Sequence, residues 1–365
     1  MPRGRSSFAA ARSGGRVMLE LISVSLVANR EPILRNATLT FTAGTPSAVL
    51  GLSRAGRSSL LRLLCGAERP LSGEVRLAGR DMKANKLKAP HLALIGRDGW
   101  PPSGRTVAKE LVKAGGNGAS LAGIADRVGL RGKLETRTKA LALEDRIRLA
   151  VGCALASGAR VVLLDAPTEG LAQSAREHLL ADLPAMFADS TAIVVLAAGA
   201  TDEALAIGSQ IIVLGLGEVV QAGPAAEVLA QPSCLRAAAA TTDPRLNTLA
   251  IQIDLGACRL GDGSTFAVPE GVAMPPYGRC TLAFRPDDLV LDRPDDRALR
   301  FAVRSDGEEV AGGRNYLRIH FAGETWLARR SDSIAAVAPG MMLNAFIDRA
   351  RIMVFDNDDR AVSPG

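Results

Sequence analysis

Short apolar runs, each closed by glycine or aspartate, set the rhythm of the first two thirds of the chain. Pro46-Ser-Ala-Val-Leu50 has the length and character of a buried strand. It leads into Gly51-Leu-Ser-Arg-Ala-Gly56, after which Ser59-Leu-Leu-Arg-Leu-Leu-Cys65 repeats leucine at helical spacing as far as Gly66, a stop signal. Residues 161–164 predict a second buried strand ending at Asp165, residues 173 to about 183 a helix, and residues 192–196 a third strand. Residues 211–214 and 218–221, on either side of Gly215-Leu-Gly217, predict a hairpin, and residues 224–229 a short closing helix. Buried strands alternating with helices predict an α/β domain with a largely parallel sheet.

Beyond Cys234 the pattern changes. Residues 234–242 are alanine-rich with weak helical character, and short strand candidates follow at 249–255, 280–285, 289–291, 299–304, 316–321, 325–329, 343–347 and 352–355. Many short strands at close spacing predict a small antiparallel barrel or sandwich. The expected organisation is a tail over 1–17, an α/β domain over 18–240 and an all-β domain over 241–365.

Composition narrows this picture without redirecting it. The chain has 365 residues, 47% of them hydrophobic, enough for two cores. No apolar run approaches the ~20 residues of a membrane-spanning helix, so any membrane association is expected to be peripheral. The net charge of +6 is misleading, because Arg3, Arg5, Arg12 and Arg16 supply most of it within an acid-free tail. That tail lacks hydrophobic periodicity and reads as a disordered arm or as a start assigned upstream of Met18, where strand-like alternation begins. Five scattered cysteines without a C-x-x-C pair point to buried thiols in a reducing compartment rather than to zinc or disulfides.

The chemistry is concentrated in Gly51, Ser53, Arg54, Ala55, Gly56, Arg57, Ser58 and Ser59. Strand, glycine loop and helix aim a helix N-terminus at an anion. The pattern G-x-x-x-x-G-K-[ST] cradles phosphates with backbone N–H groups, reaches the outer ones with lysine and holds Mg²⁺ with the hydroxyl. Here Arg57 stands in the lysine position. Arginine keeps the charge and offers a planar fork, but it is bulkier. Asp165, at the end of an apolar strand, is the expected second Mg²⁺ ligand beside Ser58.

With these elements in order, from about Met18 onward, the chain resembles the ATP-binding subunits of ABC transporters. It is most similar to the carbohydrate and polyol importers, whose subunits carry a C-terminal OB-like (TOBE-type) barrel; Phe284-Arg-Pro-Asp-Asp-Leu289 matches an element of that barrel. Arg176 to Phe187 and Asp243-Pro-Arg-Leu-Asn-Thr-Leu249 look like the atypical subunit of glycerol importers. The resemblance implies ATP and Mg²⁺ as ligands, permease subunits as partners, and a place on the cytoplasmic face of the inner membrane.

The same resemblance exposes departures. Ala166 occupies the slot of the catalytic glutamate, Gly199 that of the histidine, Arg97 that of the γ-phosphate-sensing glutamine, and Ala172 that of an aspartate. The signature L-S-G-G-Q reads Leu141-Ala142-Leu143-Glu144-Asp145. Loss of the serine hydroxyl and gain of two acids are expected to repel phosphate, by roughly 4 kcal/mol for a charge ~4 Å away. None of His91, His178 and His320 falls in a reactive slot.

Three functions remain in view. The first is an importer subunit that binds ATP weakly, is poor in hydrolysis and pairs with a second ATP-binding subunit in a heterodimer. The second is a working ATPase with Glu169 as the base. The third is a regulatory or nucleic-acid-binding protein, disfavoured because the barrel's aromatics are spread singly and no positive groove accompanies them; no nucleic-acid partner is expected.

Overall fold

The computed structural model describes residues 17–362 apart from 29–30, 53–55, 83–91, 116–117, 255, 268, 270, 293–297, 312 and 331–336. The basic tail, with its four arginines, and His91 lie outside the described residues. So do Ser53, Arg54 and Ala55 of the glycine loop.

Strands β1 (Met18–Ala28) and β2 (Glu31–Thr42) pair antiparallel. After β3 (Ser47–Gly51) and helix α1 (Arg57–Leu64), strands β4 (Ser72–Leu77) and β5 (Arg80–Asp81) complete a sheet in the order β2-β1-β4-β5. Strand β6 (Leu92–Ile95) precedes helices α2 (Val107–Lys113), α3 (Gly118–Arg127) and α4 (Leu143–Ala156). Then come β7 (Val161–Asp165), α5 (Gln173–Phe187), β8 (Ile193–Ala197) and α6 (Thr201–Ile207). Next are β9 (Gln210–Gly215), β10 (Glu218–Pro224), α7 (Ala225–Ala230) and α8 (Leu235–Ala240). The second sheet runs β10-β9-β3-β8-β7-β6, parallel except for β10 at its edge.

The parallel strands are apolar at successive positions because both faces of the sheet are covered. Val162, Leu164, Val194, Leu196, Ile211 and Val213 pack with α4 and α5, through Ile147, Val151, Leu179 and Leu183. Val161, Leu163, Ile193 and Val195 face the other way, onto Leu60, Leu61, Leu63 and Leu64 of α1 and Leu19, Leu21 and Phe41 of the antiparallel sheet. Each fully buried leucine contributes roughly 1.5–3 kcal/mol, and the two layers clamp α1 so that its first turn stays at the strand ends.

Helix α5 continues through Pro184 to Phe187, beyond its expected end near 183. Proline removes one backbone hydrogen bond, but Leu183, Met186 and Phe187 are all buried in the same core, and that burial carries the helix past it.

The C-terminal region is all-β and OB-like. Strands β11 (Asn247–Asp254), β12 (Ala257–Arg259), β13 (Thr265–Ala267) and β14 (Gly278–Phe284) are followed by β15 (Leu289–Val290), β16 (Leu299–Ala311) and β17 (Arg314–Phe321). The last three are β18 (Glu324–Arg329), β19 (Met342–Ile347) and β20 (Met353–Asp356). One sheet runs β13-β12-β11-β14-β20, and β15-β18-β17-β16-β19 close into a barrel. The aromatics expected to lie singly are in fact gathered: Phe284, Phe301, Phe321 and Trp326 pack with ring centroids 5.0–6.2 Å apart. Phe284, Phe301 and Trp326 are buried, so these three rings are core.

Arg285 joins the two regions by donating from Nη2 to the Leu229 carbonyl at 2.5 Å. Helix α8 seats Ala238 against Ala283 and Phe355.

Candidate functional site

The central strand β3 lies between β8 and β9, and its C-terminal end opens into the glycine loop. Gly56 caps α1 at φ 83, in the left-handed region, and a Cβ there would fall 2.3 Å from Ile33 Cγ2. Conformation and space therefore both require glycine. The α1 N-terminus that follows carries Arg57, Ser58 and Ser59, with its first-turn N–H groups facing the loop.

Ser58 Oγ donates to Asp165 Oδ1 at 2.8 Å, joining the start of α1 to the end of β7. A hydroxyl and a carboxylate side by side are hard oxygen donors of the kind Mg²⁺ takes when substrate phosphates and water fill its remaining positions. The donor set fits that ion, and residues far apart in sequence meet there.

Arg57 is held back at the sheet. Its Nη1 donates to the Gly51 carbonyl at 3.1 Å and to the Ala198 carbonyl at 2.5 Å. The cation thus bridges the exits of β3 and β8.

Ala166 follows Asp165 with φ 47, its N–H bonded to the Ala197 carbonyl at 3.1 Å. A methyl group cannot polarise water. Arg97 and Glu169 form an ion pair at 2.8 Å, both more than half exposed. The residue in the glutamine slot thus holds the carboxylate that would serve as the alternative base. An exposed pair of this kind contributes 0–1 kcal/mol.

At Gly199 the backbone N–H donates to Glu203 Oε2 at 2.6 Å, and Thr168 Oγ1 donates to Glu203 Oε1 at 2.9 Å. Glu203 is 2% exposed. Burial pushes its carboxyl above the usual range, against the opposing hydrogen bonds from Gly199 and Thr168. Sequence reading missed this residue, because α6 is only seven residues long and breaks the apolar rhythm. The acid pair Asp202-Glu203 just after Thr201, favourable in a first helical turn, was the available signal.

The signature slot folds as the entry to α4. Leu141 is buried, Ala142 is the N-cap without a side-chain hydrogen bond, and Leu143 opens the helix. Glu144 and Asp145, expected to repel phosphate, each meet a cation of this chain. Glu144 Oε1 accepts from Arg148 Nε and Nη2 at 3.0 and 2.7 Å, and Asp145 Oδ2 pairs with Lys133 Nζ at 2.5 Å. Asp145 is paired with Lys133, whereas Arg148 is shared between Glu144 and Asp182 Oδ2 at 2.7 Å, so the charge of Glu144 is only partly offset. Ala172 likewise caps α5 without a side-chain bond. His178 lies on α5 and His320 on β17, the latter 3.4 Å from Asp306. The five thiols are free, with Cys153, Cys258 and Cys280 buried. Among the described residues, no helix is long and apolar enough to cross a membrane.

The family model for ABC transporters matches residues 34–169. The sn-glycerol-3-phosphate import ATP-binding protein UgpC of Chromohalobacter salexigens is 26% identical over 340 residues, 88% of this chain and 90% of that protein. The sulfate/thiosulfate import ATP-binding protein CysA of Brucella melitensis is 28% identical, over 83% of this chain and 89% of that protein. A bacterial Atm1-family ABC exporter with ATP bound shares the fold at a TM-score of 0.52 and 20% identity. That superposition takes in 62% of this chain and spans 42% of the exporter's length. The glycine loop feeding α1, Asp165 at the end of β7 and the family model matched over residues 34–169 agree: this chain contains a domain of the ABC ATP-binding type.

Proposed function

We propose that the chain is an ATP-binding subunit of an importer for a sugar or polyol, binding MgATP weakly and poor in hydrolysis by itself. The observation that carries this reading is the 2.8 Å contact between Ser58 and Asp165 beside the bare methyl of Ala166. The hydroxyl and carboxylate that would hold a metal–nucleotide meet, and a methyl stands where the resemblance expects the water-polarising glutamate, which supports the reading. The relatives named for glycerol-3-phosphate import, matched along nearly the whole chain, support a polyol or its phosphate as the solute.

Backbone N–H groups at the α1 N-terminus would hold the phosphates, with Ser58 and Asp165 holding Mg²⁺. A bound Mg²⁺ would supply charge neutralisation at the outer phosphates. Ala166 and Gly199 leave no side chain to take a proton from water, and Glu169 is engaged with Arg97. The subunit therefore works with permease subunits on the cytoplasmic face of the inner membrane, and with a second, competent ATP-binding subunit in a heterodimer.

The test measures binding of a fluorescent ATP analogue with and without Mg²⁺, and phosphate release by the chain alone and with its neighbouring subunits. Mg²⁺-dependent binding, lost in Ser58→Ala and Asp165→Asn, with turnover only in the mixed complex, is the expected result. Brisk phosphate release by the isolated chain, abolished in Glu169→Gln, would overturn the proposal in favour of a self-sufficient ATPase.

A further inference from the structure

An arginine has five N–H donors in a planar fork, two on each terminal nitrogen and one on Nε. In Arg57 the two hydrogens of Nη1 match two acceptors, the carbonyls of Gly51 and Ala198. Among the described residues, Nε and Nη2 have no hydrogen-bond partner. One terminal nitrogen of the fork is thus anchored to the protein, and among the described residues the edge suited to bidentate contact with phosphate is left open.

The anchor continues into a buried acid. The Ala198 carbonyl and the Gly199 N–H belong to a single peptide group. Its oxygen accepts from Arg57, and its N–H donates to Glu203 Oε2 at 2.6 Å. The other oxygen of Glu203 takes the Thr168 hydroxyl, tying in the loop after β7. A carboxylate on the N–H side of a peptide polarises it and strengthens the carbonyl as an acceptor, by about 10–30% for bonds in such chains. Cation, peptide and anion therefore form one line from the glycine loop into the interior.

We propose that Glu203 is a positioning residue for Arg57: through the Ala198–Gly199 peptide it holds Nη1 in its anchor, so that the Nε–Nη2 edge is the one presented to the outer phosphates that this motif position reaches. Arginine at 57 is then a working phosphate ligand. A lysine's single ammonium has only three N–H groups, radiating from one atom, and cannot give two parallel bonds to phosphate from a separately anchored fork. The proposal rests on the nucleotide-binding reading above and assigns Arg57 and Glu203 their roles within it.

The experiment is a double-mutant cycle on the full chain, read as the affinity for the Mg²⁺ complex of mant-ATP. Arg57→Ala is expected to weaken binding roughly tenfold or more, as for loss of a charged hydrogen-bond donor. Glu203→Gln, which keeps the shape and removes the charge, is expected to weaken binding about threefold in the Arg57 background and not at all in the Arg57→Ala background. A purely structural Glu203 would give the same loss in both backgrounds, and that outcome overturns the proposal while leaving the nucleotide reading intact. So does an absence of loss in either background. If the unaltered chain binds no mant-ATP, the nucleotide reading falls and this proposal falls with it. Circular dichroism checks folding; should Glu203→Gln fail to fold, Glu203→Asp, too short to reach the Gly199 N–H, runs the same cycle.

Discussion

Gly56 shows how much one residue decides at this site. Its φ of 83 and the 2.3 Å that would separate an added methyl from Ile33 Cγ2 leave no relaxed conformation for alanine. Gly56→Ala is expected to cost about 1–3 kcal/mol, the usual range for enforced backbone strain, measurable as a lower denaturant midpoint, and to displace the first turn of α1. The spacing of Gly51, Gly56 and Ser58 was readable in the sequence because it is a local pattern. The destination of the Arg57 guanidinium was not, since its acceptor at Ala198 is brought beside it only when β8 pairs with β3. Glu203 was hidden for the same reason, because its importance lies in the peptide it meets.

Elements were legible where burial made them uniformly apolar. Strands β3, β7 and β8 were found within a residue of their ends, because a strand covered on both faces advertises itself in the sequence. Strands β12 and β13, three residues each, and most of the antiparallel sheet of β1, β2 and β4 carry only a weak alternation and were passed over or only half seen. Helix α4 teaches a different point. Its acids looked like a hazard to phosphate, but i,i+4 pairing of Glu144 with Arg148 and the reach of Lys133 to Asp145 are properties of the folded helix and its neighbours. The weakness of α4 lies at its N-cap, where Ala142 leaves the first N–H groups without a side-chain acceptor. Ala142→Ser is accordingly expected to stabilise the protein by about 0.5–2 kcal/mol, seen as a raised unfolding midpoint. No change, or a fall, would show that the helix start is already satisfied.

For the whole molecule, the seam between the α/β region and the β region matters most. Phe355 is 1% exposed and packs with Ala238 of α8 and Ala283 of β14, so it belongs to both halves at once. Phe355→Ala is expected to cost about 3–5 kcal/mol and to lower the thermal midpoint of the entire chain. Two separated transitions in that variant, one unchanged, would show instead that the halves unfold independently. The same seam has a second aspect. Leu235 N–H bonds to the Asp359 carbonyl at 3.0 Å and Ala361 N–H to the Ser233 carbonyl at 3.0 Å, so residues 359–361 clasp the stretch leading into α8. During translation the α/β half can gather as it emerges from the ribosome, yet this clasp must wait until residue 361 clears the exit tunnel. The newborn protein thus passes through an interval in which its nucleotide cradle can already be shaped while its two halves are still unbuttoned.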